Sequence, residues 1–595
     1  MTERHTYRMG IVGNCAYMAH VDTQARVSWL CWPRFDSSFV FGHLLDTEQG
    51  GELAVESADV TVEKQQEYVW NTNVLQTTIE TSHGVFRVTD CAPRFVQFGR
   101  VFKPLTLIRK LEPLSGAPRV RIVSKPRRAY GAEVPKVYVQ SNHLRYDFGG
   151  ETVRLNTDVP LSYVTGERAF VLDQVRTIVL SWGVPFEAPL EDTAEDWLRR
   201  TIAYWQQWVQ HCAIGRFYQR HVIRSALALK LHQFEDTGAI IAAGTTSLPE
   251  FPGSGRNWDY RYCWLRDAYF TLAALNRIGQ FEEMQSFAQF IENIAASVGS
   301  ARYPAVVRID GSLELPESTV PLRGHDGHGL VRVGNAAYAQ VQNDIYGQVI
   351  YALLQLYIDA RFPREPRETS RQLLTTLLKL IESCLHEPDA SLWEFRDLQQ
   401  RHCYTSLCHW IGAKTAAKIA RVLGDRPLLR AATRLVVRSA RLLEACYDPQ
   451  VGAYMQEPGS KNLDASALHL IIVHYLDPRS TRAARHLEAL KRQLMVGGGL
   501  IHRYTHADDF GKPSAAFLAC SFWYAEALAV MGRIEEALGE LELLLGYSNH
   551  LGLFSEHVDP ITGGQWGNFP QTYSHVGLMN AVLQITSRID YPEFY

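Results

Sequence analysis

Residues 191–212 read EDTAEDWLRRTIAYWQQWVQHC, and the reading of the fold turns on this stretch. Acidic residues lead it, and apolar residues then recur at helical spacing, as at Leu198, Ile202, Trp205 and Val209. Upstream the period is two. The segments KVYVQSNHLRYDF (136–148), ETVRLNTDVPLSYV (151–164) and RTIVLSWGVPF (176–186) are short and rich in β-branched and aromatic residues. They are separated by Gly, Pro or Asn, and VLQTTIETSHGVFRVTDCAPRF (74–95) continues the style. Many short alternating runs predict a large antiparallel β-sandwich. Downstream the spacing predicts helices at 219–235, 266–278, 337–360, 371–384, 406–423, 427–445, 465–475, 515–531, 534–545 and 573–585, about ten to thirteen in all. No repeat of tetratricopeptide or ankyrin period is present. An all-helical region of this size must bury one face of every helix, which an (α/α)6 barrel and a solenoid both do; pattern leaves the two open.

The chain has 595 residues, 46% hydrophobic and 21% charged, with 60 Lys and Arg against 63 Asp and Glu. That is a globular composition with room for more than one domain. A formal net charge of −3 and the lack of a basic run argue against nucleic acid or an anionic membrane as partner. No apolar stretch has the length of a membrane span, and MTERHTYRMGIVGN at the start lacks a signal-peptide core. The ten cysteines are scattered without a CxxC pair, so reduced thiols in a cytoplasmic enzyme are the expectation. HCYTSLCH (402–409) has its two Cys five apart and no second pair at finger spacing, so no metal is expected there. The 13 Trp and 27 Tyr favour a ligand with flat apolar faces and polar edges, such as a sugar.

Three turn-rich stretches mix tryptophan with carboxylates: GRNWDYRYCWLRDAYFTL (255–272), HEPDASLWEFRD (386–397) and LGLFSEHVDPITGGQWGNFPQTYSH (551–575). Glu394 stands between Trp393 and Phe395; an aromatic setting disfavours the charged carboxylate, as a proton donor requires, whereas pairing with Arg396 at a helix start is the plainer reading. Glu556, beside His557 and Asp559, is expected in a polar, partly wet setting that suits a base activating water; alone it would read as a turn carboxylate. Arg266 and Asp267 combine a fork of donors with a charged acceptor, able to hold two neighbouring hydroxyls or simply to pair with each other. Trp258, Trp264, Trp393 and Trp566 offer floors for sugar rings, or core packing.

Together RNWDYRYCWLRDA, LWEFR, FSEHVDP with its following TG, and GNFPQTYSHVGLMNA resemble glycoside hydrolase family 15, the glucoamylase-like family that includes bacterial trehalases. GIVGNCAYMAHVDTQARVSWLCWPRFDSSFVFGHLLD and LDAS (463–466) resemble the bacterial members, and the resemblance runs from Met9 to Ala581. It implies an N-terminal antiparallel β-sandwich (1–190), a helical linker (191–218) and an (α/α)6 catalytic barrel (219–595). It also implies exo-hydrolysis of α-glucosides with inversion. By the same resemblance Glu394 is the general acid and Glu556 the general base, roughly 6.5–9.5 Å apart. The resemblance also implies that Arg266, Asp267, Tyr260, Trp264, Trp393, Arg503 and Tyr573 surround the sugar, and Trp258 is expected there as a floor. No cofactor and no metal are called for, since protons and water do the work.

Three departures from the family pattern stand out. Phe395 occupies a position where fungal glucoamylases carry a second carboxylate; GKPSAAF (511–517) lacks their tryptophan; CYTSLCHWIGAKTA lacks the Asp-Arg of many bacterial relatives around Ala413–Lys414. The first two are expected near the leaving group. The leading expectation is release of glucose from α-gluco-oligosaccharides, with α,α-trehalose as the alternative substrate. A phosphorylase on a similar barrel, needing no base carboxylate, and a non-catalytic sugar binder are the other classes weighed.

Overall fold

The computed structural model describes residues 4–299, 301–361 and 368–589; the outermost parts of the expected domains 1–190 and 219–595 lie outside them. Two antiparallel sheets form the first third. One runs Met9–Gly13, Met18–Asp22, Arg26–Cys31, Leu53–Ser57, Arg119–Ser124 and Phe170–Val171, with Phe39–Phe41 on Arg26–Cys31. The other runs Lys136–Val139, His143–Asp147, Thr152–Thr157, Arg176–Trp182, Thr106–Gly116, Gly84–Cys91, Leu75–Thr81 and Thr61–Tyr68. Val27, Leu53 and Ile122 of the first sheet meet Phe86, Leu107, Leu155 and Leu180 of the second in one apolar cluster, so this is a sandwich. Arg109 crosses that core: its Nε donates to Asp90 at 2.6 Å and its Nη2 to the Ala25 carbonyl at 2.7 Å. The expected strand 151–164 stops early, because Pro160 begins a short helix, Leu161–Thr165.

Helix Leu190–Gln210 carries the stretch that opened the reading. Glu191 and Asp192 sit in its first turn, where carboxylates complement the helix dipole. It buries Ala194, Leu198, Thr201, Trp205 and Val209 along one face. Ala194 and Leu198 pack on the sandwich with Ile108 and Val179, while Trp205 and Val209 join Leu227 and Leu231 of the helical region. One amphipathic stripe therefore welds the two halves.

The helical region is a double ring. Leu265–Arg277, Ile345–Ala352, Cys403–Leu423, the short stretch Ala465–Leu468 with His469–Ile472, Leu518–Val530 and Thr572–Ile589 touch in sequence, and the last returns to the first. Outside them lie Gln219–Leu231, Glu282–Val298, Glu368–Cys384, Arg426–Glu444, Thr481–Leu494 and Ile534–Leu545. Inner helices are buried all round, as in Leu518–Val530, where every residue is buried. Outer ones are amphipathic: Arg426–Glu444 buries Leu428, Ala432, Leu435, Ser439 and Leu443, and Asp425 caps its first turn by accepting from the Leu428 N–H at 3.0 Å. Close approach of two inner helices requires glycine at Gly347, where a Cβ would stand 1.9 Å from the Cys408 carbonyl oxygen. The ring of six hairpins is the barrel, not the solenoid.

Two outer helices, Glu282–Val298 and Thr481–Leu494, are missing from the sequence reading. The single helix expected at 337–360 is instead a 3-10 turn, Ala336–Ala339, an irregular stretch with a turn, and helices Ile345–Ala352 and Leu354–Ile358. The break matters, because the irregular stretch delivers Gln342 and Asp344 to the site described next.

Candidate active site

The inner helices begin at one rim, and their first turns, or the loops just before them, supply the polar residues of the site. The positive ends of their dipoles therefore face a common cavity, which favours negative charge there. An inner chamber of about 470 Å³, counting the space open toward its mouth, is lined by Tyr260, Trp264, Arg266, Asp267, Leu392, Trp393, Glu394, Arg503, Phe517, Glu556, Gln571 and Tyr573. An outer chamber of about 510 Å³, counted the same way, adds Glu250, Arg256, Trp258, Gln340, Arg396, Asp508 and Phe510. Tyr260, Trp393, Glu394 and Arg503 line both, and Glu556 only the inner one.

Glu394 lies in a turn with φ 57°, a left-handed conformation uncommon for a residue with a Cβ. Three donors converge on its Oε1: Trp264 Nε1 at 2.6 Å, Arg266 Nη2 at 3.1 Å and Gln342 Nε2 at 3.1 Å. Among the described residues Oε2 accepts no hydrogen bond, and the side chain is 21% exposed. Gln340 Nε2 fixes the Glu394 carbonyl at 3.1 Å, and the Asp509 carboxylate accepts the Arg396 N–H at 2.6 Å, so backbone contacts brace the turn on both sides.

Arg266 is a hub. Beyond Glu394, it donates to Gln342 Oε1 at 2.6 Å and to the Tyr573 hydroxyl at 3.1 Å, and lies 3.6 Å from both Asp267 and Asp344. The sequence reading gave it to sugar hydroxyls; most of its N–H donors are already occupied by the protein. Asp267 is the freer partner: its Oδ1 is buried with no hydrogen bond. Burial pushes its carboxyl up to about 7, with Arg266 opposing and Glu394 and Glu556 adding to the rise. A buried acceptor without a donor is costly in isolation and suits a ligand hydroxyl.

Glu556 leads into a small three-stranded sheet, Ala516–Phe517, His557–Val558 and Gln565–Trp566. Because this sheet folds inward, Glu556 is only 2% exposed, not partly wet as the sequence suggested. Its Oε2 accepts the Asn568 N–H at 3.3 Å and lies 3.6 Å from His557 Nδ1; among the described residues Oε1 accepts no hydrogen bond. Gly567, at φ 76°, passes so close that a Cβ there would stand 2.7 Å from Glu556 Oε2. The Tyr260 phenol is held protonated by burial and then by the charges of Glu556, Glu250 and Glu394 around it.

The predicted tryptophans do different jobs. Trp264 is buried and serves Glu394 as a donor rather than as an exposed floor. Trp258 has the guanidiniums of Arg332 and Arg396 over its ring at 4.7 and 4.6 Å, which leaves little face for a sugar. Trp393 packs edge-on against Tyr504 and Phe517 while bordering both chambers. Trp566 stacks on His5 at 4.0 Å, outside both chambers. Phe395 lines the outer chamber and Phe517 the inner one, so the first two departures do not share one chamber as expected.

Arg503 borders both chambers through a partner the sequence reading missed. It donates to Glu250 Oε2 at 2.8 Å, and Trp258 Nε1 donates to Glu250 Oε1 at 2.9 Å. Burial opposes ionisation of Glu250, but Arg503, His557 and Arg256 outweigh it and hold the carboxyl below its ordinary range. Gln342 and Asp344 were also missed: VQND before an apolar run reads as an ordinary helix entry. The run RNWDYRYCW is shared between two tasks. Arg261, fully buried, points the other way, donating to Asp259 Oδ2 at 2.7 Å, the Ser37 carbonyl at 2.7 Å and the Tyr130 hydroxyl at 3.0 Å. With Trp29 Nε1 on the Gly244 carbonyl and His20 on the Phe569 carbonyl, these contacts dock the sandwich on the loops behind the cavity.

A family model described as Glycosyl hydrolases family 15 matches residues 216–583, and one described as Trehalase-like, N-terminal, matches residues 3–158. The chain belongs to glycosyl hydrolase family 15 and is a glycoside hydrolase with a small-molecule sugar substrate. It is 31% identical to the trehalase of Thermoplasma volcanium, over 98% of this chain and 94% of that one. It is 29% identical to the trehalase of Mycobacterium tuberculosis, over 94% and 86%. A bacterial glucoamylase solved in complex with acarbose has the same fold, with a TM-score of 0.70 at 14% identity, covering 98% of this chain and 95% of that one. Among the described residues no helix is long and apolar enough to cross a membrane.

Proposed function

We propose that this protein is an inverting α,α-trehalase in which Glu394 is the general acid and Glu556 the general base. One observation carries the assignment. Glu394 lines both chambers and Glu556 only the inner one, so a glucose in the inner chamber has a carboxyl at its outward bond and a carboxylate deeper in the pocket. Glu394 Oε2 protonates the bridging oxygen; Glu556 Oε1 orients and deprotonates the attacking water; Asp267 accepts from ring hydroxyls, and Tyr260 and Tyr573 close the walls. Arg266, Gln342 and Trp264 hold the acid in its turn, and Arg503 with Glu250 supports the boundary between the chambers.

Trehalose takes precedence over the α-gluco-oligosaccharides first expected because near-full-length relatives at about 30% identity carry the name trehalase. The outer chamber supports this choice: it is about the size of the inner one, and Arg256 and Asp508, joined as an ion pair, are among its walls. It offers room beyond the inner chamber for a second glucose ring. In this reading 1–190 is the sandwich, 191–218 the linker and 219–595 the catalytic barrel. A cytoplasmic setting is consistent with all ten cysteines being free. Glucose release measured on trehalose, maltose, isomaltose and kojibiose tests the substrate: trehalose is expected to have the highest kcat/KM, and preference for maltose or isomaltose would restore the oligosaccharide reading.

A further inference from the structure

Away from the cavity, His5, His325 and Asp326 meet although more than 300 residues separate the first from the others in the chain. His5 Nε2 lies 3.3 Å from His325 Nε2 and 3.6 Å from Asp326 Oδ2, and His325 Nε2 lies 3.7 Å from the same oxygen. The other nitrogen of each ring is committed: His5 Nδ1 faces the Gln565 carbonyl at 2.6 Å and His325 Nδ1 the Leu44 carbonyl at 3.0 Å. A carbonyl oxygen can only accept, so each Nδ1 carries the proton. In the neutral rings both Nε2 atoms then present lone pairs to each other and to a carboxylate. Three acceptors at this spacing repel unless a proton or a metal cation lies between them.

We propose that His5, His325 and Asp326 bind one divalent transition-metal ion of the zinc class. Bonds of about 2.0–2.2 Å at a tetrahedral centre separate ligand atoms by roughly 3.3–3.6 Å, close to the spacing found here. A ligating histidine ordinarily donates its second ring N–H to a carbonyl or carboxylate, and both do so here. Imidazole with a single carboxylate suits zinc rather than magnesium or calcium. Asp326 is set at φ 51°, a left-handed position that turns it back toward the two rings.

The consequence is mechanical. His5 stacks on Trp566 at 4.0 Å, His325 is bonded to Leu44 of the sandwich, and Trp566 pairs with His557 next to Glu556. The ion would staple the N-terminal arm, the sandwich and the sheet beside Glu556. It takes no part in bond cleavage and is independent of which disaccharide the enzyme hydrolyses.

The test uses full-length protein without a polyhistidine tag, stripped by chelator and titrated with Zn2+ in a calorimeter and with Co2+ by visible absorption. One ion per chain is expected, with intense tetrahedral cobalt bands and a Tm that rises on adding Zn2+. His5→Gln and His325→Gln are each expected to weaken binding at least 100-fold and to abolish the Tm rise, and Asp326→Asn to weaken it about tenfold. Should His325→Gln fail to fold, removal of residues 1–5 deletes one imidazole and leaves the 325–326 turn in place. No binding at 100-fold molar excess of Zn2+ would overturn the proposal. Binding that survives loss of His5 would do the same, since the ion would then sit elsewhere, for example among Glu250, Glu556 and His557.

Discussion

Around Glu394, three side-chain donors from two separate segments converge on one carboxylate oxygen, whereas around Glu556 the closest contacts come from its neighbour His557 and from the backbone of Asn568, just past the last strand of its small sheet. The difference matches the roles proposed for the two carboxyls. An acid whose proton is delivered to a substrate oxygen needs its other oxygen pinned. A base needs room for one water and a backbone that does not move. Side chains brought from a distance can be removed one at a time; backbone contacts cannot.

The largest expected effects are at the two carboxyls themselves. Glu394→Gln and Glu556→Gln should each lower kcat on trehalose by about 10²–10⁴-fold. They should part company on α-glucosyl fluoride, whose leaving group needs no proton: Glu394→Gln recovers most of its activity and Glu556→Gln does not. Equal recovery by both would mean the roles are not divided this way.

Next come the three donors on Glu394 Oε1. Gln342→Leu and Trp264→Phe each delete a hydrogen bond to a charged group, about 1.5–3 kcal/mol, so kcat should fall roughly 10–100-fold with a smaller change in KM. The fall should be largely absent on α-glucosyl fluoride, whose departure needs no proton, which a loss of fold would not produce. On the other side, Gly567→Ala places a methyl against Glu556, and because φ there is 76° the substitution is strained as well. Activity should drop about tenfold with a lower Tm, and replacement of the neighbouring side chains of the 559–564 turn should do far less.

The smallest effect on activity lies beneath the site. Burial, then the charge of Asp344, pushes the Asp389 carboxyl up to about 8. Its folded value thus exceeds the unfolded one of 3.8, so the native state keeps a proton that the unfolded chain releases. Its contribution to stability is full below about pH 4 and is lost as pH rises toward about 8. Asp389→Asn should therefore flatten the fall of Tm across that window, with the two proteins nearest in stability at the acidic end. Parallel Tm curves would remove Asp389 from this role.

How much of this was legible beforehand depended on where the information sits in the chain. The change of period at residues 191–212 marked the boundary between sheets and helices, because amphipathic spacing is a local property. RNWDYRYCWLRDA and LWEFR carried Arg266, Asp267 and Glu394, because residues adjacent in sequence shared a cavity. Gln342 and Asp344 were illegible: a polar pair before an apolar run reads as a helix entry, and only the broken helix at 340–344 shows otherwise. Glu250 was hidden for a related reason, since its partners Arg503 and His557 lie over 250 residues away. The double role of RNWDYRYCW, alternately facing the cavity and the sandwich, needed the second domain in place.

The central claim is that two carboxyls on opposite sides of one glucose cleave trehalose with inversion. Proton NMR of a fresh digest reads this directly, before mutarotation. Attack by water at one anomeric carbon gives β-glucose, and the released partner keeps its α configuration, so the two anomers should appear together in equal amounts. α-Glucose alone, or a phosphate-dependent glucose 1-phosphate in place of one sugar, would contradict the account.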